Sequence, residues 1–255
     1  LYRQAFEELS LQEAREEIHT QFPKKSIHRR NTGYAVDELL KASQFEGTAD
    51  FNFCKLLAGS EGTLAVTTEI KISLDPLPDP IEIVVAAHFE SIHESMKSAQ
   101  VAMKHPVTAV ELMDKIILDC TKESIEYSKN RYFVEGDPKA LLMIEFRGKT
   151  LEEAMAKGEA LIADLKAAGY GYAYPIIEPE KVASAWALRA AGLGLLGNIP
   201  GDPKAVACIE DTAVDITDLA DYIDELDGIL AGFNQNPVHY AHAGAGEIHM
   251  RPILD

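Results

Sequence analysis

The sequence predicts an α+β fold in which an antiparallel sheet carries helices packed on one face. Three observations support this prediction. Residues 78–255 alternate short apolar runs with longer stretches of helical spacing. The 255-residue chain is 47% hydrophobic, which is enough for a buried core. The proline-rich segment 75–80 cannot continue a sheet, so it divides the chain into regions 1–77 and 78–255.

The composition limits the classes of partner. A formal net charge of −17 argues against nucleic acid or an anionic membrane surface, although a local basic pocket could still bind a small anion. No apolar run is long enough to span a bilayer, and no signal peptide is visible. The three cysteines are widely spaced and odd in number, which favours a reducing compartment.

The first region predicts helices followed by one strand. Helical spacing runs over residues 1–21 and stops at Pro23, and a short helix is expected over 36–42. Residues 53–58 form a short apolar run that leads into a glycine-containing loop. Apolar and polar residues then alternate strictly over 64–74, which predicts the clearest strand of the chain.

The second region predicts alternating strands and helices. Strands are expected over residues 81–88, 109–113, 140–146, 170–174 and 206–210. Helices are expected over 91–104, 150–168, 179–190 and 217–231. Capping residues mark these helices, namely Ser91, Thr150 with Glu153, and Thr217 at N-termini, Pro179 in a first turn, and Gly169 and Gly232 at C-termini.

The last strand pair, over 238–253, contains His242 and His249 with two glycines between them. Histidines seven apart lie on opposite faces of a straight strand, and roughly 10 Å apart along a helix. One metal ion needs closer imidazoles, and a tight turn at the glycines would bring the two rings together. Strand, turn and strand are therefore predicted, with His242 and His249 as metal ligands. An ordinary hairpin with solvent-facing histidines is the alternative.

Residues 192–197 match the G-x-G-x-x-G pattern of dinucleotide-binding proteins. That pattern needs a strand before it and a helix after it. Here a predicted helix comes first, so we interpret the match as coincidental and expect a mobile or closely packed loop.

Two cations and one acidic pair near this point could bind a ligand. Arg189 could hold a carboxylate through two hydrogen bonds, and Lys204 could add a point charge. Both could equally be solvated cations near a helix end. The pair Glu210 and Asp211 could serve a metal or act as a base, or could cap the following helix.

Several motifs together resemble a known family. Residues 30–34, 55–64 and 68–69 are similar to the closing third of the PCMH-type FAD-binding domain of FAD-linked oxidases. Residues 78–255, with their His-x-Gly-x-Gly-x-x-His string, resemble the C-terminal substrate domain, or cap domain, of D-lactate and D-2-hydroxyglutarate dehydrogenases. Strings at 186–189, 195–198, 210–214 and 249–252 are similar to large bacterial proteins that fuse such a dehydrogenase to an iron–sulfur module.

The resemblance implies oxidation of a D-2-hydroxy acid to the 2-oxo acid, with hydride transfer to FAD. It implies a small 2-hydroxy-acid substrate and an iron–sulfur module or quinone-linked electron acceptor. His242 and His249 match catalytic histidines that bind zinc, manganese or iron, Arg189 matches the arginine for the substrate carboxylate, and Lys204 falls at a second substrate-binding cation. The residues that would contact FAD are Asn31, Gly59, Ser60, Glu61, Gly62 and Val66.

The chain departs from the family pattern at several points. Ala245 stands where aspartate is common, and Arg251 stands where asparagine is frequent, so Arg251 becomes a further candidate for a substrate carboxylate. The third metal ligand, a glutamate, would fall beyond Asp255, and the pyrophosphate loop would precede Leu1. We therefore expect a fragment that binds FAD weakly or not at all and is inactive by itself.

Two other functions remain open from the sequence. One is a metal-dependent hydrolase that uses His242, His249 and the acidic pair. The other is a non-catalytic module that binds small acids. The expected location is the cytoplasm, either free or peripheral to the inner face of the membrane.

Overall fold

The computed structural model describes residues 1–29 and 33–255. The chain divides into two compact units, Leu1–Pro76 and Leu77–Asp255. The division lies one residue before the boundary predicted from the prolines. The domain types assigned to the two regions stay predictions.

The first unit is built from short helices around an aromatic cluster. Its helices are α1 (Tyr2–Ser10), α2 (Gln12–Gln21), α3 (Val36–Leu39) and α4 (Cys54–Leu57). The single helix predicted over 1–21 is two helices, because Leu11 adopts an extended backbone between them. The small core contains Leu9, Ile18, Leu39 and Leu40, with Phe45, Phe51 and Phe53 packed beside it.

The strand predicted over 64–74 is not formed. Residues 64–74 have no strand pairing among the described residues, and their side chains are exposed, Val66 to 91%. Alternation predicts which side chains share a face of a strand, but a strand also needs a neighbour for its backbone hydrogen bonds.

The second unit contains the remaining strands and helices. Its strands are β1 (Ile81–Phe89), β2 (Ala109–Asp114), β3 (Ala140–Gly148), β4 (Ile176–Ile177), β5 (Lys204–Ala205), β6 (Ile209–Ala213), β7 (Val238–His242), β8 (Glu247–Arg251) and β9 (Ile253–Leu254). Its helices are α5 (Ile92–Ala102), α6 (Lys115–Lys122), α7 (Leu151–Ala168), α8 (Pro179–Leu195) and α9 (Leu219–Ala231). Among the helices that the structure describes, none has the length and apolar character needed to cross a bilayer.

Seven strands form one antiparallel sheet in the order β4-β1-β3-β2-β7-β8-β6, and β5 pairs with β9 separately. The α+β class is confirmed, but helices cover both faces of the sheet, not one. We call the side covered by α5, α7 and α9 the α7 face, and the side covered by α6 and α8 the α8 face. The near-continuous apolar run of β3 reflects burial on both sides.

Local signals located several helix ends correctly. The Ser91 hydroxyl accepts from the Glu94 N–H, and the Thr150 hydroxyl accepts from the Glu153 N–H. Gly169 ends α7 with φ +74°, as expected for a glycine C-cap. Thr217 is not a cap, because α9 begins at Leu219 and the Thr217 hydroxyl donates to Asp215.

The glycine pattern at 192–197 does not form the expected loop. α8 continues through Gly192 and Gly194 to Leu195. A Cβ atom on Gly192 would lie 2.6 Å from Cγ2 of Ile117, so this glycine allows α8 to approach α6 closely. The strand predicted over 170–174 reduces to a bridge between Ala173 and His88, and β4 follows at Ile176–Ile177.

Candidate functional site

The hairpin of β7 and β8 brings the two predicted histidines together. Tyr240 pairs with His249, and His242 pairs with Glu247. The imidazole centroids of His242 and His249 lie 5.3 Å apart at an interplanar angle of 81°. The turn predicted between the histidines is therefore present, and it places both rings on the α8 face.

The two glycines of the turn are favoured for different reasons. Gly246 has φ +69°, and a Cβ atom there would lie 2.2 Å from the Val214 carbonyl oxygen. A Cβ atom on Gly244 would lie 3.1 Å from both Sδ of Met103 and Cβ of Val110. Gly246 supplies a left-handed backbone, and Gly244 allows close packing against β2.

Glu111 on β2 joins His242 to Arg189 on α8. Nδ1 of His242 lies 2.8 Å and 3.1 Å from the two Glu111 carboxylate oxygens. Arg189 donates from Nη2 to the same carboxylate and to the Ala241 carbonyl oxygen. The strand register explains this meeting, because Leu112 pairs with Ala241 and so places Glu111 beside His242.

Arg189 is held on a second side by Tyr240. The guanidinium carbon lies 4.1 Å from the Tyr240 ring centroid, and the Tyr240 hydroxyl donates to the Arg189 carbonyl oxygen. Burial raises the pKa of the Tyr240 phenol, although the charge of Arg189 opposes this shift. Nε of Arg189 is buried and has no hydrogen-bond partner among the described residues.

The second histidine has its own acidic neighbours. Nδ1 of His249 lies 2.6 Å from a Glu210 oxygen and 3.2 Å from an Asp211 oxygen, and neither is aligned for a hydrogen bond. Glu210 also accepts from Nε of Arg251 at 2.5 Å. Both candidate histidines therefore turn Nδ1 toward a carboxylate that is also paired with a candidate substrate arginine.

Two imidazole nitrogens of the candidate site could hold a divalent metal ion. Neither Nε2 of His242 nor Nε2 of His249 has a hydrogen-bond or ion-pair partner among the described residues. Histidines that bind metal through one nitrogen commonly engage a carboxylate with the other. One ligand atom each from Glu210, Asp211 and His249 also lie within 4.8 Å of one another. Ligands of one tetrahedral zinc are about 3.3 Å apart, so 2.6 Å suits a supporting carboxylate better than a shared ligand.

Lys204 does not join this site. Its ammonium contacts the carbonyl oxygens of Ile199, Gly201 and Pro203, which occupy its three donors. Lys204 therefore organises its own loop in this structure. Its substrate-binding role stays a prediction that requires this loop to open.

The candidate FAD contacts lie in the first unit. Gly59 and Gly62 have positive φ values, and a Cβ atom on either would meet no atom within 4 Å. Ser60 is buried, and its carbonyl oxygen accepts from the backbone N–H and the hydroxyl of Thr63. Glu61 also has a positive φ, 52°. The loop thus presents open backbone to a ligand, but its role in binding FAD stays a prediction. Asn31 lies outside the described residues, and Val66 is exposed.

Glu111 is the site residue that the sequence did not reveal. It stands in the run Ala109–Asp114, where apolar residues surround it. A charged residue inside an otherwise apolar strand was the available signal, since such a group needs a partner when buried. The partner could not be named, because it depends on the register between β2 and β7.

Comparison with known proteins gives the family. The sequence profile described as FAD linked oxidases, C-terminal domain, matches residues 80–255. The chain is 31% identical over 264 residues to the D-2-hydroxyglutarate dehydrogenase of Pseudomonas putida, covering 100% of this chain and 25% of that protein. It is 29% identical over 252 residues to the Escherichia coli protein of that name, covering 94% of this chain and 24% of that protein.

A more distant relative is a mitochondrial cytochrome D-lactate dehydrogenase of Arabidopsis thaliana. It is 27% identical over 215 residues, which cover 82% of this chain and 35% of that protein. The chain thus spans about a quarter of the length of the D-2-hydroxyglutarate dehydrogenases that it matches. The profile match covers most of the chain, and this chain therefore belongs to the FAD-linked oxidases and contains their C-terminal domain.

Proposed function

We propose that this chain is the substrate-side part of an FAD-dependent dehydrogenase that oxidises a D-2-hydroxy acid of the D-lactate or D-2-hydroxyglutarate class to the 2-oxo acid. The observation that carries the proposal is the arrangement of Arg189 beside His242, joined by Glu111. The Arg189 guanidinium, which could bind a carboxylate, and the His242 imidazole, whose Nε2 has no partner among the described residues, both contact Glu111. The named relatives act on hydroxy acids, which supports the same reaction class.

The residues of this chain would bind and orient the acid. Arg189 is held by Glu111 and Tyr240, and its buried Nε has no hydrogen-bond partner among the described residues, which supports a role in binding a substrate carboxylate. Arg251 is the second candidate cation, held by Glu210 beside His249. Preorganised groups of this kind reduce the entropic cost of orienting a substrate.

A divalent metal would be held by Nε2 of His242 and Nε2 of His249. When bound there, zinc, manganese or iron would lower the pKa of the substrate hydroxyl, as zinc does for water. A bound FAD would supply the hydride acceptor for C2 of the acid. The chain's own contribution is to hold the carboxylate, fix both imidazoles and present C2 in one orientation.

Partners and location follow from the same proposal. An iron–sulfur module or quinone-linked chain would take the electrons, which rests on the motif resemblance alone. The three cysteines are unpaired, which supports a reducing compartment such as the cytoplasm. Peripheral association with the membrane remains part of the proposal.

The test is turnover by the full-length gene product on a panel of D- and L-2-hydroxy acids with a dye acceptor, with and without chelator. We expect D acids to be oxidised and chelator to reduce the rate. His249→Ala should lower turnover to below about 1% because a metal ligand is lost. His93→Ala is the matched control, since His93 pairs with Asp224 at the surface. Near-normal turnover by His249→Ala would contradict the site assignment.

A metal-dependent hydrolase is the second candidate. The grouping of Glu210, Asp211 and His249 favours it, because a carboxylate next to a metal could activate water. It predicts metal-dependent cleavage of esters or amides by protein that lacks flavin. A non-catalytic small-acid module predicts only thermal stabilisation by the acid, with no turnover.

A further inference from the structure

Glu111 occupies a position that connects the two halves of the proposed site. It lies on β2, its side chain is 15% exposed, and its two contacts come from different elements. One contact is Nδ1 of His242, a residue at the end of β7, and the other is Nη2 of Arg189, a residue of α8. One partly buried carboxylate thus contacts both a candidate metal ligand and a candidate substrate cation.

The contact with His242 fixes the state of the imidazole. A carboxylate only accepts hydrogen bonds, so Nδ1 of His242 must carry the proton. The lone pair of a neutral ring then resides on Nε2, which is the atom without a partner among the described residues. Glu111 therefore selects the tautomer that can bind a metal through Nε2.

The contact with Arg189 fixes the orientation of the guanidinium. Arg189 is 9% exposed, and Glu111 is the anion that compensates its charge. Because Nη2 is used by Glu111 and by the Ala241 carbonyl oxygen, the guanidinium plane is held at one edge. Nε then remains as a buried donor for a ligand.

We propose that Glu111 is a positioning residue that couples the two functions, so that the metal ligand His242 and the substrate arginine Arg189 keep their geometry together. This proposal rests on the proposed function. Loss of the Glu111 carboxylate would weaken metal binding and acid binding in the same variant, while the flavin would bind as before.

The test uses Glu111→Gln in the full-length gene product. Glutamine keeps the shape of the side chain but loses the negative charge. In either orientation of the amide, its nitrogen would face an N–H donor of His242 or Arg189. The matched control is Glu145→Gln. Glu145 is 12% exposed, lies on the same face, and pairs with Arg147 and Thr108 away from the histidines.

Three quantities are measured for each variant. The first is the affinity of metal-free protein for Zn²⁺ by calorimetry, the second is KM and kcat for the preferred D-2-hydroxy acid, and the third is FAD content by absorbance. We expect Glu111→Gln to weaken Zn²⁺ affinity by about 10- to 100-fold, and to raise KM by about 10-fold or more, since a charged hydrogen-bond pair is lost. FAD content should stay unchanged, and Glu145→Gln should change none of the three.

Unchanged Zn²⁺ affinity and unchanged KM in Glu111→Gln would overturn the proposal, as would equal losses in Glu145→Gln. If Glu111→Gln does not fold, Glu111→Asp replaces it, because it keeps the charge but shortens the reach to His242. Failure of the proposed function gives a different result. In that case no D-2-hydroxy acid is oxidised by the unaltered protein, while the Zn²⁺ titration still reports on His242.

Discussion

The two faces of the central sheet differ although the same strands form both. On the α7 face, side chains such as Phe146, Leu142 and Leu112 pack into an apolar core. On the α8 face, neighbouring positions of the same strands carry Glu111 and His242. Alternation along a strand lets one residue stabilise the fold and the next serve a site. Both faces carry an apolar core, but the α8 face also carries the candidate site, beside core residues such as Met113 and Met143.

The strongest way to test this separation is Phe146→Ala on the α7 face. Phe146 is fully buried and pairs with Ile83 across β1 and β3. We expect the free energy of unfolding to fall by about 3–5 kcal/mol, because a large apolar side chain is lost and a cavity remains. Denaturant unfolding measures this change.

Zn²⁺ affinity of the folded Phe146→Ala protein should stay unchanged if the faces are independent. Leu151→Ala is the control, since Leu151 is an exposed apolar residue of α7 and should cost below about 1 kcal/mol. A large loss of Zn²⁺ affinity in Phe146→Ala would remove the distinction between the faces.

His239 is a charged exception on the α7 face. Burial by itself lowers the pKa of His239, but two carboxylates outweigh it and raise the pKa to about 9: Asp114, 3.8 Å from Nδ1, and Asp227, which is hydrogen-bonded to Nε2. A histidine with a raised pKa in the folded state stabilises fully below its unfolded value of about 6.5 and loses this effect as pH rises through 9. We expect the free energy of unfolding to fall by roughly 2 kcal/mol between pH 6.5 and 9, after discounting for the part-exposed Asp227.

Unfolding measured across this pH range in Asp227→Asn checks the expectation, since the variant should show a smaller decrease. Asp224→Asn on the same helix is the control, because Asp224 pairs with the surface residue His93. An identical pH dependence of the free energy of unfolding in wild type and Asp227→Asn would show that the pair of His239 with Asp227 does not stabilise the fold.

His88 lies on the α8 face but outside the candidate site, and its pKa shifts in the opposite direction to that of His239. Burial lowers the pKa of His88. Its Nδ1 donates to the Ala86 carbonyl oxygen, and its Nε2 accepts from the Glu135 N–H, so neither nitrogen has room for a further proton. A histidine with a lowered pKa in the folded state destabilises the fold as pH falls below about 6.5, because the unfolded chain then binds the proton more readily.

The measurement is the free energy of unfolding at pH 7 and pH 5 in wild type and in His88→Gln. We expect the wild type to lose more stability than the variant between these two pH values. His93→Gln should behave like wild type. A variant that loses as much stability as wild type would show that His88 tolerates protonation.

The sequence predicted the features that depend on near neighbours. The caps at Ser91 and Thr150, the glycine end of α7 and the β7–β8 turn were all correct, because each is determined within a few residues. The family was also recognisable from short strings. The helix α6 was missed although Asp114 caps its N-terminus, which is a local signal. The continuation of α8 through Gly192 was missed because it depends on close packing against Ile117 of α6.

The site was predicted in part for the same reason. His242 and His249 meet through a local turn, which glycine spacing reveals. The contact of His242 with Glu111 joins residues 131 positions apart, and only the strand register brings them together. Lys204 was placed with Arg189 by proximity in sequence, whereas its three carbonyl contacts hold it in its own loop.

The turn glycines have a consequence for recognising related chains. Gly246 is required by its left-handed backbone and the close Val214 carbonyl, Gly244 is favoured by tight packing against Val110, and neither effect involves an imidazole. A chain could therefore keep the Gly-x-Gly string, and with it the hairpin, after losing both histidines. In a search for related chains, the glycines would therefore report on the hairpin, and only the proposed site residues His242, His249 and Glu111 would report on the proposed chemistry.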